Sequence, residues 1–166
     1  MEDKIRFMRA ALARARKGLA QGEVPVGAVV VCDGKIIGSG YNRRTQTQMA
    51  SSHAEMYAID RACRKCKSWR LPDCDLYVTL EPCPMCMGAA LNARIRKIYF
   101  GAYEQKGRSM TQKLAASNLL NHTLEVEGGV LGEECSALLS GFFRAMRART
   151  KAPSGAEEQG ESQEGD

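Results

Sequence analysis

Two short segments of this chain carry the side chains that most restrict how it can fold. The first, His53 to Glu55, ends 27 positions before Pro82, where a second segment with Cys83 and Cys86 begins. A structural zinc site completes its shell with four protein ligands, whereas three ligands leave one position for water. A nearby carboxylate that is not a ligand can accept a proton from that water. The pattern therefore predicts a fold that joins the two segments, and a zinc-dependent hydrolytic reaction in which Glu55 transfers protons.

Local spacing predicts where each metal ligand lies. Cys83 and Cys86 are one helical turn apart, and Pro84 is tolerated at the first position of a helix. Thiols at a helix N-terminus have lowered pKa values, because the unpaired N–H groups there favour the thiolate. His53 begins another predicted helix, and its two-residue step to Glu55 does not put both side chains on one helix face. We therefore expect the metal beyond the N-terminal ends of two helices.

A second Cys-x-x-Cys pair offers a competing interpretation. Cys63 and Cys66 precede Cys83 with 16 residues in between, a spacing typical of four-cysteine zinc ribbons. Such a ribbon would be a structural module without enzyme activity. However, Cys63 falls late in a predicted helix rather than in a loop, and a ribbon leaves His53 and Glu55 unexplained. We expect Cys63 and Cys66 to be ordinary thiols.

Apolar periodicity and turn residues divide the chain into alternating helices and strands. The predicted helices cover residues 5–19, 53–66, 84–92 and 134–147, with a short helix between 103 and 121. The predicted strands cover residues 27–31, 35–40, 76–80, 97–101 and 123–126, and residues 43–52 are predicted as a polar loop. This alternation predicts a three-layer α/β/α sandwich, in which a five-stranded mixed sheet has helices on both faces.

The C-terminal part of the chain divides into a helix and an acidic tail. The last predicted helix is expected to bury five apolar side chains, those of Leu138, Leu139, Phe142, Phe143 and Met146. Residues 152–166 contain five acidic residues and no basic residue. A segment of this composition cannot bury enough apolar surface to fold. We predict one zinc-dependent domain at residues 1–151, followed by a disordered acidic tail at residues 152–166.

The predicted domain is more basic than the whole chain. The whole chain has a net charge of +5, from 24 Lys and Arg against 19 Asp and Glu. Because five of the acids belong to the tail, the domain carries 24 basic and 14 acidic residues, a net charge of +10. Basic residues that neutralise phosphates release bound counterions, which favours binding to polyanions. This charge favours a nucleic-acid partner.

Few sequence features bear on cellular location. The longest apolar runs, at 24–31 and 85–91, are far shorter than the roughly 18 residues that a membrane-spanning helix needs. Residues 1–20 carry charges throughout and lack the apolar core of a signal peptide. Seven cysteines without the dense spacing of a secreted disulfide scaffold favour reduced thiols. We expect a cytoplasmic protein that does not cross a membrane.

Longer stretches of the sequence narrow the chemistry. His-Ala-Glu followed by Pro-Cys-x-x-Cys is the signature of zinc nucleobase deaminases. Four phrases surround it: Glu-Val-Pro-Val-Gly-Ala-Val-Val from residue 23, Tyr-Asn-Arg from 41, Leu-Tyr-Val-Thr-Leu-Glu-Pro-Cys-Pro-Met-Cys from 76 and Phe-Gly-Ala from 100. Together they resemble the bacterial tRNA-specific adenosine deaminases. The similarity extends over about residues 4 to 149.

The resemblance implies a cytidine deaminase-like fold, one Zn²⁺ per subunit and a homodimer. It also implies that the substrate is the anticodon stem-loop of a tRNA, in which adenosine 34 becomes inosine. Within the family pattern, His53, Cys83 and Cys86 match the zinc ligands and Glu55 matches the proton shuttle. Asn42 matches an asparagine at the base and sugar, and Val26 lies in the segment that lines the base pocket.

The stretch from 103 to 114 departs from the family pattern. Glu104 stands where relatives usually have Asp, and the later glycines of this stretch are missing. Relatives use the stretch to contact RNA beside the target base, so it bears on the choice of substrate. The candidate RNA contacts are Glu104 and the basic residues Lys106, Arg108, Lys113, Arg144, Arg147 and Arg149. Two alternatives stay open: a deaminase of a free base such as guanine or cytosine, and a non-catalytic, zinc-stabilised RNA-binding module.

Overall fold

The computed structural model describes residues 1–107 and 109–152. The predicted RNA contact at Arg108 lies outside the described residues. The predicted acidic tail also lies outside them from residue 153 onward.

Helices and strands alternate along the described residues, mostly where the sequence predicts them. The helices are α1 (Glu2–Leu19), α2 (Arg44–Thr47), α3 (Ala54–Cys66), α4 (Pro84–Asn92), α5 (Thr111–Ala116) and α6 (Gly132–Lys151). The strands are β1 (Gly27–Cys32), β2 (Lys35–Tyr41), β3 (Cys74–Leu80), β4 (Lys97–Ala102) and β5 (Glu125–Glu127). Several bounds differ from expectation: β3 begins two residues earlier than predicted and β5 two residues later, α1 and α6 extend beyond their predicted ranges, and α2 lies in the predicted loop.

The short helix α2 forms because a distant side chain satisfies its first N–H groups. The Glu23 carboxylate accepts the N–H of Thr45 at 3.2 Å and the N–H of Gln46 at 2.6 Å. Unpaired N–H groups at a helix start need such acceptors. Glu23 lies more than 20 positions earlier in the chain, so a local sequence pattern does not reveal the helix.

The five strands form one mixed sheet in the order β2-β1-β3-β4-β5. Strand β1 is antiparallel to both β2 and β3, whereas β3, β4 and β5 are parallel. The β1–β2 hairpin turns at Asp33 and Gly34, both of which have positive φ angles, of 48° and 70°. This left-handed geometry suits the twist of a two-residue hairpin.

Alternate side chains of the sheet face two different helical layers. Val30 packs on one face into a core that includes Met87 of α4, together with residues of α3 and α5. Val29 points to the other face, into a core with Leu12 of α1 and Leu139 of α6. The predicted three-layer α/β/α sandwich is therefore confirmed.

Two parallel strands end, and two helices begin, at one edge of the sheet. Strands β3 and β4 end side by side, with Leu80 opposite Ala102. Helix α4 begins at this edge directly after β3. Helix α3 packs closely on the backbone of β2. A Cβ atom at Gly38 or Gly40 would overlap the backbone of α3, so this contact requires glycine at both positions. This close packing fixes the position of the α3 N-terminus.

The predicted burial of α6 is wrong in its second half. Leu139 is buried, and Leu138 and Phe142 are half-buried, but Phe143 and Met146 are 44% and 49% exposed. The buried residues of α6 lie in its first half, which packs on β4 and β3, while its last turns are exposed throughout. Within residues 1–107 and 109–152, none of the helices has the length and apolar character that a membrane crossing requires.

Candidate active site

The three predicted metal ligands lie together at the N-terminal ends of α3 and α4. His53 directly precedes α3, and Cys83 directly precedes α4, which contains Cys86 in its first turn. The His53 Nδ1 atom is 3.6 Å from the Cys83 sulfur and 3.5 Å from the Cys86 sulfur. The three donor atoms lie within 4.8 Å of one another, and they are the one such group among the described residues.

The donor set and its spacing fit a zinc ion. With Zn–N near 2.05 Å and Zn–S near 2.3 Å, a tetrahedral ion holds nitrogen and sulfur about 3.6 Å apart. The two measured nitrogen–sulfur distances agree with that separation. One imidazole and two thiolates leave the fourth position of a tetrahedral shell without a protein ligand. The site therefore could hold a catalytic zinc ion rather than a closed structural one.

Hydrogen bonds within the group favour one thiolate. The pKa of Cys83 is lowered to about 4, first because the Cys86 thiol donates a hydrogen bond to it and also because of His53. The pKa of Cys86 is raised correspondingly, since it holds the shared proton and is buried. The contact with Cys83 also raises the pKa of His53. A thiolate beside an imidazole is suited to binding a soft divalent cation.

Glu55 lies beside the cysteines in the first turn of α3. Its side chain is only 4% exposed, and its Oε2 atom has no hydrogen-bond partner among the described residues. Burial raises the pKa of this carboxyl above its ordinary value. A buried carboxyl with a raised pKa can both accept and return a proton near neutral pH. The unpartnered oxygen is therefore available to a bound substrate.

The site opens into a cavity of about 380 Å³. His53, Glu55 and Cys83 line its floor, and two further predicted residues, Val26 and Asn42, line its wall. The structure thus brings together most of the predicted base-binding and reacting groups. Cys86 itself is fully buried behind them.

A second cavity of about 540 Å³ adjoins the first. The two share a lining that includes Glu104 and Phe143. The predicted RNA contacts Lys106, Arg144 and Arg147 line only the second cavity. In contrast, Lys113 and Arg149 are exposed and line neither cavity.

Sequence reasoning missed several residues of the cavity walls. Arg44, Glu81, Ser109 and Phe143 all line the first cavity. Glu23 lies beneath the wall, where its carboxylate accepts a hydrogen bond from the Asn42 amide at 3.4 Å. Glu23 and Glu81 stand within phrases that the sequence singles out, but their partners depend on contacts between distant parts of the chain. No local pattern predicts those contacts.

The second Cys-x-x-Cys pair takes no part in the metal group. Cys63 is half-buried with its sulfur 3.8 Å from the Trp69 carbonyl oxygen, and Cys66 is exposed. Cys83 and Cys86 meet His53 instead. The ribbon is therefore not the arrangement that this chain adopts in its described part.

Comparison with known proteins identifies the family. A family model for MafB19-like deaminases matches residues 2–147. The tRNA-specific adenosine deaminase of Bacillus subtilis is 46% identical over 148 residues, which are 88% of this chain and 92% of that protein. The enzyme of the same name from Haemophilus influenzae is 44% identical over 149 residues, 88% of this chain and 86% of that protein. The chain belongs to the tRNA-specific adenosine deaminase family. This membership confirms the resemblance found in the sequence.

Solved structures of the deaminase family share the fold. A structure from a study of A-to-I editing by tRNA:A34 deaminases has a TM-score of 0.74 and 38% identity, covering 81% of this chain and 99% of that one. A guanine deaminase from Nitrosomonas europaea has a TM-score of 0.71 over 82% of both chains. At 24% identity this second similarity shows the fold alone.

Proposed function

We propose that this protein is a zinc-dependent enzyme that deaminates adenosine 34, the wobble base of a tRNA, to inosine. The observation that supports this most strongly is the group of His53, Cys83 and Cys86 beside the unpartnered carboxyl of Glu55, at the floor of a cavity. Relatives at 44–46% identity over nearly the whole chain are tRNA-specific adenosine deaminases. The alternatives, a free-base deaminase and a non-catalytic RNA-binding module, have no comparable support.

The reaction assigns a separate task to each group of the site. His53, Cys83 and Cys86 would hold the zinc ion, whose chemistry is to lower the pKa of a bound water so that it attacks at neutral pH. Glu55 accepts a proton from the attacking water and delivers it to the purine. The water oxygen becomes the carbonyl oxygen of hypoxanthine, and the exocyclic amino group leaves as ammonia. Burial of Glu55 suits this role, because it raises the pKa of the carboxyl and so favours uptake of a proton.

The cavity wall would hold the base while Glu55 acts. Val26 offers an apolar surface, and Asn42 offers an amide that is only 8% exposed. Glu23 fixes this amide from behind by accepting its hydrogen bond. A wobble adenosine lies in a loop and costs little to unstack, so it can enter such a cavity.

The second cavity would hold RNA next to the flipped base. Lys106, Arg144 and Arg147 supply positive charge there for phosphates, and exposed Phe143 offers a face on which a base can stack. Glu104 lines both cavities, so its extra methylene relative to Asp lies where the base and its neighbour meet. Lys113 and Arg149, which line neither cavity, and Arg108, which lies outside the described residues, remain proposed RNA contacts.

Several further properties complete the proposal. Residues 1–151 form the catalytic domain, which acts as a homodimer in the cytoplasm with one zinc ion per subunit. Two observations favour self-association: Met85 of the apolar helix α4 is 38% exposed, and Leu119, just after the adjacent α5, is 76% exposed. Size-exclusion chromatography with light scattering tests the dimer. A molecular mass equal to one subunit throughout the micromolar concentration range would contradict the dimer.

Inosine detection tests the reaction itself. The protein is incubated with an anticodon stem-loop containing A34 and, separately, with free guanine and cytosine. We expect inosine and ammonia from the RNA alone, with binding that weakens as salt rises. Ammonia from the free bases only would support the small-molecule alternative, and tight RNA binding without inosine would support the non-catalytic one.

Metal analysis tests the ligands. Purified protein should contain one zinc ion per chain, and His53→Ala should lose it. Cys63→Ser/Cys66→Ser serves as the matched control and should retain the metal. The opposite pattern would assign the zinc to the ribbon and would overturn the proposed active site.

A further inference from the structure

Glu81 is a buried carboxylate that the proposed reaction does not use. It directly follows β3, is 8% exposed and lines the active-site cavity. Its Oε2 atom accepts the backbone N–H of Glu104 at 2.9 Å, and its Oε1 atom accepts the hydroxyl of Ser109. Both oxygens are therefore engaged with one stretch of chain between β4 and α5.

The sheet explains why these groups meet. Because β3 and β4 are parallel, the chain leaves both strands at the same edge. The backbone N–H of Glu81 also donates to the Ala102 carbonyl at 2.8 Å, at the end of β4. Glu81 thus holds the chain after β4 through two groups, its backbone N–H and its side-chain carboxylate. A buried carboxylate with two donors is a stable anchor, since removing it would leave the Glu104 N–H unpaired.

The anchored stretch forms part of both cavities. Glu104 and Ser109 line the active-site cavity, while Lys106 lines the neighbouring basic one. Between the two anchor points the chain turns, with the Lys106 N–H donating to the Glu104 carboxylate at 2.9 Å and Gly107 at a φ of 64°. Gln105, Lys106 and Gly107 are exposed. Within residues 104–107 and 109, the hydrogen bonds to groups outside the stretch are those to Glu81.

We propose that Glu81 is a positioning residue that clamps Glu104 and Ser109 against the active-site cavity and so determines how RNA fits there. This inference rests on the proposed function, because the substrate that it concerns is RNA. Glu81 acts through Glu104 and Ser109 and does not contact the reacting atoms, since both of its oxygens are already engaged. The clamp links the strand that leads into the metal site with the stretch that departs most from the family pattern.

Four variants separate the clamp from general damage. Glu81→Ala removes both contacts, and Ser109→Ala removes one without changing β3. Glu81→Gln can keep both, because an amide oxygen accepts the Glu104 N–H and a hydroxyl can accept from the amide nitrogen. Asp75→Ala is the matched control, because it removes a carboxylate that also accepts two hydrogen bonds, both from Arg96, and that lies near the opposite end of β3 from Glu81.

Trypsin digestion of the full-length, zinc-loaded protein tests the clamp without measuring activity. Cleavage between residues 104 and 110 is followed by mass spectrometry. Glu81→Ala should be cut there about tenfold faster than wild type, since two lost hydrogen bonds favour local opening. Ser109→Ala should show a smaller increase, and Glu81→Gln and Asp75→Ala should match wild type. Equal rates for wild type, Glu81→Ala and Ser109→Ala would overturn the proposal.

Steady-state kinetics on the anticodon stem-loop test its consequence. Glu81→Ala should raise KM about tenfold, change kcat by less than about threefold and leave the zinc content unchanged. A purely structural role would instead lower kcat and zinc content together, and that result would overturn the proposal. Impairment of Glu81→Gln to the level of Glu81→Ala would also overturn it. If Glu81→Ala does not fold, the KM values of Ser109→Ala and Glu81→Gln are compared instead. Ser109→Ala should then have a higher KM than wild type, and Glu81→Gln should match wild type. Wild type without inosine formation would refute the proposed function, whereas the digestion would still report on the clamp.

Discussion

Replacement of Glu55 by glutamine separates proton transfer from every other property of the site. Glutamine has nearly the size of glutamate, so Glu55→Gln leaves no cavity in the first turn of α3. The Oε2 atom of Glu55 has no hydrogen-bond partner among the described residues, so the substitution breaks no contact at that atom. An amide, however, can neither accept the proton of the attacking water nor return it. The expected defect is therefore chemical rather than structural.

The size of the defect follows from that role. Loss of a general acid–base group costs about 10²- to 10⁴-fold in rate. Because the Glu55 Oε2 atom is buried, has no partner among the described residues and lies beside the candidate metal ligands, we expect kcat to fall about 10³-fold, which corresponds to about 4 kcal/mol in activation free energy. The zinc content and the thermal melting temperature should stay close to those of wild type.

Single-turnover inosine formation with excess enzyme measures this rate directly, and plasma mass spectrometry measures the zinc. Asp60→Asn is the matched control, because Asp60 is an exposed acid on the same helix. Residual activity of Glu55→Gln above about a tenth of wild type, with zinc retained, would refute the assigned proton transfer. Loss of zinc to the extent expected for His53→Ala would mean that Glu55 is a ligand instead.

Three further predictions address RNA binding and stability. Arg147→Ala/Arg149→Ala should weaken stem-loop binding and reduce the slope of log affinity against log salt by about two, whereas unchanged binding would remove α6 from the RNA surface. Leu12→Ala should lower the free energy of unfolding by about 2–5 kcal/mol in urea titrations, because Leu12 is fully buried between α1 and the sheet, and zinc content should not change. The pKa of Glu127 is lowered, first by the hydrogen bond that Lys4 donates to it at 2.6 Å. The ionised Glu127 therefore stabilises the folded protein above the unfolded pKa of a glutamate. This stabilisation is lost as pH falls through the lowered pKa of the folded state. Lys4→Ala should therefore destabilise the protein at pH 7 but much less at pH 2, and an equal loss at both pH values would contradict this assignment.

The grouping of the three candidate metal ligands was predictable because it depends on short stretches of chain. Cys83 and Cys86 are one turn apart, and Pro84 sets the helix start between them, so their convergence needs only local structure. His53 was predictable for a similar reason, since it precedes a periodic apolar segment that forms α3. The alternation of strand and helix patterns likewise predicted the layered sheet. In each case residues close in sequence carry the signal.

Predictions failed where the outcome depends on distant parts of the chain. The apolar pattern of α6 continues through Phe143 and Met146, but the sheet lies under only the first half of the helix, so these side chains are exposed. Helix α2 depends on Glu23, and the Glu104 region depends on Glu81. Periodicity identifies the face of a helix that can be buried, but it does not state how far the neighbouring layer extends.

Different parts of the chain build the candidate active site and the neighbouring cavity, and this bears on substrate choice. The proposed reacting groups come from the starts of α3 and α4, whereas the stretch after β4 and helix α6 supply most of the lining of the second cavity. Phe143 of α6 connects the two cavities, because its exposed side chain lines both of them. Substitutions around Glu104 or on α6 can therefore change which nucleic acid enters without altering the metal ligands or Glu55. On this reasoning the extra methylene of Glu104 should affect KM for RNA much more than the rate of deamination once the base is bound.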